Sequence, residues 1–101
     1  DVEIIQFKRY ILSDSAVAEM DKLDYRPATI EELLAFGAKK SQILDFPIVA
    51  LGSFCLVRGD YHVTCIQPSL HRCGLERNLD LYPWSKSWSN NYRFLVVRES
   101  K

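Results

Sequence analysis

Apolar and polar positions alternate with two different periods along this chain, and the period changes near its middle. The stretch VEIIQFKRYIL, residues 2–12, is rich in β-branched and aromatic residues and predicts an opening strand. Ser13 then offers an N-cap with Asp14 in the first turn. Val17, Met20 and the Leu23–Asp24 end keep a spacing of three to four, which predicts a short amphipathic helix. DYRPAT, residues 24–29, breaks it, because Pro27 lacks a donor and drives Arg26 to an extended conformation. Thr29 followed three residues later by Glu32 is a capping box for a second helix. Ile30, Leu33, Leu34 and Gly37 fall on one face of it, and Gly37 or the Lys39–Lys40 pair marks its end.

From Phe46 onward the pattern is that of strands. IVALGSFCLV, residues 48–57, is nearly continuous apolar sequence and predicts a strand buried on both faces, with a bulge or a close backbone approach at Gly52. Gly59–Asp60 is a two-residue hairpin signal. YHVTCIQ, residues 61–67, alternates with Tyr61, Val63 and Cys65 on one side and His62 and Thr64 on the other. PSLHRCG, residues 68–74, predicts a loop, and NLDLY, residues 78–82, a short strand stopped by Pro83. An amide-rich turn precedes the closing strand RFLVVR, residues 93–98. The order is β-α-α-β-β-β-β, an α+β fold. The short connections of the second half imply an antiparallel sheet of about five strands with the helix pair on one face.

Length and charge narrow the function classes. A chain of 101 residues fits a single domain, and such a chain buries roughly 60–70% of its unfolded surface without staples. Thirteen basic residues balance thirteen acidic ones. Residues 1–50 carry net −3 and residues 51–101 net +3, with no basic stripe, so no nucleic-acid partner is expected. No apolar run approaches the roughly 20 residues of a membrane helix, and no membrane partner is expected. The chain starts at Asp1 rather than Met, so a leader or an upstream segment is expected before it. Three cysteines at irregular spacing make a poor disulfide framework and suggest a reducing, cytoplasmic setting.

The candidate chemistry is sparse. His62, Cys65, His71 and Cys73 are zinc-ligand types, but the spacing H-x2-C-x5-H-x-C fits no finger. Alternation also sends His62 and Cys65 to opposite faces, so no metal and no cofactor is expected. His71 and Cys73 lack an orienting third group for nucleophilic work. Arg58 to Asp60 spells RGD, which a hairpin turn explains. Arg26 is expected to pair with a carboxylate, and Tyr25 to seal the core edge. Most suggestive is SWSNNY, residues 87–92, where Trp88 and Tyr92 stand beside Asn90 and Asn91, with Trp84 just upstream. Aromatic rings among amides suit recognition, and a core or subunit-contact role is the alternative for them. The expected binding face joins this loop to the one carrying His71 and Arg72. The leading expectation is a non-catalytic binding or protein-interaction module, working as a homodimer or with a protein or small-molecule ligand. The competing expectation is a small enzyme or pocket protein that uses His and Cys.

YRPATIEELLAFGAK, FPIVALGS and NYRFLVVR together resemble a family of uncharacterised bacterial proteins frequent in environmental and candidate-phylum genomes. The resemblance covers about residues 20–100 and implies no activity; its members carry an additional N-terminal segment. YRPATIEEL is also similar to the W-R-L-P-T-x-x-E-L block of bacterial C-type-lectin-like domains, with Tyr25 where their Trp stands. That likeness implies a fold whose first and last strands pair. The lectin disulfide cysteines and the Glu-Pro-Asn calcium motif are absent, so it implies no calcium-dependent sugar binding.

Overall fold

A computed structural model describes residues 2–39, 46–67 and 78–99. The fold is α+β, with two helices and a mixed, curled sheet. The opening apolar stretch is two strands, β1 (Val2–Gln6) and β2 (Ile11–Leu12). Helix α1 (Ser13–Lys22) follows, then a three-residue strand β3 (Tyr25–Pro27) and helix α2 (Ile30–Lys39). Strands β4 (Ile48–Val57), β5 (Asp60–Gln67) and β6 (Asn78–Pro83) form a meander. Strand β7 (Ser87–Trp88) pairs with β2, and β8 (Arg93–Arg98) closes the chain.

The main sheet runs β1-β8-β4-β5-β6. The first and last strands pair antiparallel, Val2 opposite Val97 and Gln6 opposite Arg93. The sheet is not purely antiparallel, because β4 joins β8 in parallel through Ile48–Arg93 and Val49–Phe94. Beyond those two positions β4 leaves β8, and β3 takes its place on the same edge, Tyr25 opposite Arg98. Gly52 makes this exchange possible. Its amide donates to the Ala28 carbonyl at 2.8 Å, and a Cβ there would stand 2.6 Å from the carbonyl oxygens of both Pro27 and Ala28. The β4–β5 register also shifts between Ala50 and Cys55. A bulge or a close approach is expected at Gly52, and the two coincide there.

The helices lie on opposite faces rather than together. Val49, Leu51, Val63, Cys65, Phe94 and Val96 pack on one face with Ala16 and Met20 of α1, Ile11 and Trp88. Ile48, Ala50, Ile66 and Leu95, the alternate positions, pack on the other with Leu33 and Phe36 of α2. β3 is what separates the helices: three extended residues carry the chain along the β8 edge from one face to the other. Within α2 Leu33 and Phe36 face the core, and Leu34 faces solvent, so the buried stripe differs by one position from the expected one. Leu23, expected on the apolar face of α1, is also exposed, and Ala16 takes its place. The Thr29 capping box is formed: the Glu32 amide donates to Thr29 Oγ1 at 3.3 Å and the Thr29 amide to Glu32 Oε1 at 2.9 Å. Arg26 completes it as expected, donating to both Glu32 oxygens at 2.9 and 2.8 Å. Tyr25 donates to Glu3 Oε1 at 2.9 Å and accepts from Arg98 at 2.8 Å, tying β1, β3 and β8 together.

The hairpin turn is Arg58–Gly59 rather than Gly59–Asp60. Both residues have positive φ, 52° and 86°, and Val57 faces Asp60 across the ladder. This is the two-residue geometry whose twist suits a hairpin, and it accounts for the RGD tripeptide. No described helix is long and apolar enough to cross a membrane.

Candidate functional site

The stretch from Tyr82 to Tyr92 returns the chain from β6 to β8 over the α1 face of the sheet. Pro83 ends β6, and the Lys86 amide closes a turn onto the Pro83 carbonyl at 3.0 Å. Two residues of β7 then pair with β2, Ile11 opposite Trp88. A second turn joins the Tyr92 amide to the Ser89 carbonyl at 3.2 Å. Asn90 and Asn91 are exposed at that turn. Their carbonyls accept from Gln6 Nε2 at 2.7 Å and Arg93 at 2.9 Å respectively, so the turn is held by β1 and β8.

Ser13 anchors both tryptophans. It was expected to cap α1, but Leu12 is the cap residue and Ser13 is the first residue of the helix, with its side chain turned into the core. Its hydroxyl donates to the Trp84 carbonyl at 2.7 Å and accepts from Trp88 Nε1 at 2.9 Å. Trp88 is therefore a core residue, 0% exposed, which corrects its placement in the exposed binding loop. The physical reason is β7: a two-residue pairing turns the indole inward while Ser87 points out. Trp84 is half-buried, and its Nε1 donates to Asp14 Oδ1 at 3.0 Å.

Two aromatic groups result. In the first, Phe54, Tyr61 and Trp84 line an open apolar pocket of about 370 Å³. Phe54 meets Trp84 edge to face at 5.0 Å and Tyr61 at 5.9 Å. Phe54 and Tyr61 are 58% and 60% exposed, and Leu56, directly across the ladder from Tyr61, is 64% exposed. The expectation that β4 is buried on both faces holds only for Ile48 to Leu51. In the second group, Tyr82, Trp88 and Tyr92 stand nearly perpendicular to one another, with centroids 5.0 to 6.2 Å apart. The Lys86 ammonium lies 5.2, 5.7 and 5.3 Å from the three centroids. Burial, with the hydrogen bond to Tyr82 next, pushes the Tyr92 phenol up to about 12.

The histidines and cysteines separate. Alternation puts His62 and Cys65 on opposite faces of β5, as expected. Burial pushes the Cys65 thiol up to about 12, so it stays protonated and inert at neutral pH. Cys55 is exposed and sits directly across from His62, whose Nδ1 is 3.1 Å from the Asp60 carbonyl. No cluster of metal-ligand side chains occurs among the described residues. His71, Arg72 and Cys73 lie outside them, with all of residues 68–74. The residues that sequence reasoning missed are Phe54, Leu56, Tyr61, Tyr82 and Lys86. No sequence signal marks the last two, because the turns at Pro83–Lys86 and Ser89–Tyr92 interrupt any alternation.

A scan against protein-family models, a search of curated proteins and a search of solved structures each return no significant match.

Proposed function

We propose that the chain is a non-catalytic interaction module whose partner is a second copy of itself, docked through the end of the β4–β5 hairpin. The observation that carries this reading is the Phe54–Tyr61–Trp84 pocket with Leu56 projecting beside it. A two-fold interface must be self-complementary, with knob and hole on one patch. Leu56 is the knob and the pocket is the hole. Arg58 and Asp60, exposed at the same tip, supply opposite charges that pair across the axis. The pocket lining is aromatic, which suits an aliphatic side chain better than a sugar, whose hydroxyls need polar partners.

Sedimentation of wild type and Leu56→Glu over a concentration series tests it. Wild type is expected to dimerise, and Leu56→Glu to remain monomeric with an unchanged melting curve. A wild-type protein that stays monomeric at its highest soluble concentration overturns the reading.

The C-type-lectin-like fold is proposed alongside. Its support is the pairing of β1 with β8 and the two helices that follow β1. A fold likeness lends no ligand. A second reading, a small reactive site, is favoured by one observation, the Cys55–His62 pair across the hairpin. Alkylation of Cys55 faster than of a simple thiol, and slowed by His62→Ala, would put this reading first. Rates equal to a simple thiol remove it.

A further inference from the structure

Lys86 occupies an unusual place. It sits in the turn after β6, and its side chain folds back over three rings instead of reaching into water. All three distances fall within the roughly 6 Å over which a ring face attracts a cation. The rings themselves are fixed. Trp88 is held from behind by Ser13 and by Phe94, whose ring meets it edge to face at 6.0 Å. Tyr82 accepts a hydrogen bond from the Gln67 amide. Asp80 lies two residues before Tyr82 on the same face of β6, exposed, and its charge acts on Tyr92. Three fixed faces and a neighbouring carboxylate make a preorganised seat for a positive charge.

We propose that Tyr82, Trp88 and Tyr92 form a recognition site for a methylated ammonium group, which Lys86 fills and closes in the resting molecule. The primary ammonium of lysine is a compact, strongly hydrated charge on a flexible stem. Leaving the rings for water costs it little, because hydration replaces the ring contacts. A trimethylated ammonium is larger, less hydrated and presents methyl groups to each ring, so it competes for the seat. Trp88 has no exposed surface while Lys86 lies over it, so the ligand enters only as Lys86 swings out. The site is thus gated by its own occupant. It does not depend on the hairpin dimer, since none of its residues lines the Phe54–Tyr61–Trp84 pocket.

The test is proton NMR with tetramethylammonium, choline and a trimethyllysine peptide, against wild type, Lys86→Ala and Lys86→Met. The Met variant keeps an apolar stem for the loop, should Ala destabilise it, while removing the ammonium that holds the side chain over the rings. In wild type the Lys86 ε-methylene resonance, shifted upfield by the rings, is expected to move downfield as ligand displaces it. In the variants the ligand methyl resonance is expected to shift upfield, with binding about tenfold tighter than to wild type. Choline and the peptide carry the same headgroup, and the tighter of the two identifies the source. Either one binding supports the proposal. The neutral isostere 3,3-dimethylbutan-1-ol should not bind. The proposal is overturned if the Lys86 resonance stays fixed at saturating ligand, if folded Lys86→Met binds no better than wild type, or if the neutral isostere binds equally well.

Discussion

At the scale of single residues, the Ser13 hydroxyl holds one tryptophan by its carbonyl and the other by its indole N–H. Ser13→Ala leaves Trp88 Nε1 buried without that acceptor, and a loss of about 1–3 kcal/mol is expected in chemical denaturation. Trp88→Ala opens a cavity in the main core, and a loss of about 3–5 kcal/mol is expected, as large as for Phe94→Ala. If Trp88→Ala instead melts like wild type, the indole does not occupy the core. This residue was misread from sequence for a physical reason. Ser87, Ser89, Asn90 and Asn91 surround it with polarity, and a strand of two residues is too short for alternation to be recognised. Gly52 was legible, because a glycine inside an apolar strand forgoes packing and backbone order, and a bulge or a close backbone approach is what offsets that loss. Gly52→Ala drives a methyl group against two backbone carbonyls. A loss of about 1–3 kcal/mol is expected in the same measurement, since backbone cannot move aside as a side chain can.

At the scale of elements, α2 shows what local sequence encodes well. Thr29 and Glu32 are three residues apart, and their capping needs nothing from the rest of the chain. Thr29→Ala should cost about 1 kcal/mol without changing the fold, read from denaturant midpoints. Glu32 also receives Arg26, and chiefly through those hydrogen bonds its carboxyl is lowered from 4.5 to about 2. A depressed carboxyl stabilises the native state fully above its unfolded value and loses that contribution as pH falls through the folded one. The stability gap between wild type and Glu32→Gln should therefore be constant above about pH 5 and close between there and about pH 2. A gap that persists unchanged at pH 2 would contradict this. The placement of the two helices was not legible. It depends on β3, whose three residues include a proline and carry no strand signal of their own, and on β8, some seventy residues away. The parallel β4–β8 contact escaped for the same reason, being a ladder of two positions between distant segments.

At the scale of the whole molecule, accessibility divides the described cysteines. Cys55 is exposed and Cys65 lies in the main core. Mass mapping after brief alkylation should find Cys55 modified and Cys65 spared, with Cys65 labelled only under conditions that unfold the chain. Labelling of Cys65 at the Cys55 rate would mean that β5 opens locally. The sheet has a further consequence in time. One edge of β8 bonds β1, and the other bonds β4 and then β3 end to end. Three strands from the first sixty residues thus share a single mate that a ribosome delivers last among them. Until residue 98 emerges, the β4–β5–β6 meander can assemble, while β1 and β3 wait with unpaired backbone groups. Nascent chains of this protein therefore pass through an interval of open strand edges. A chaperone that shields extended segments would act in that interval, and its need would end with the closing strand.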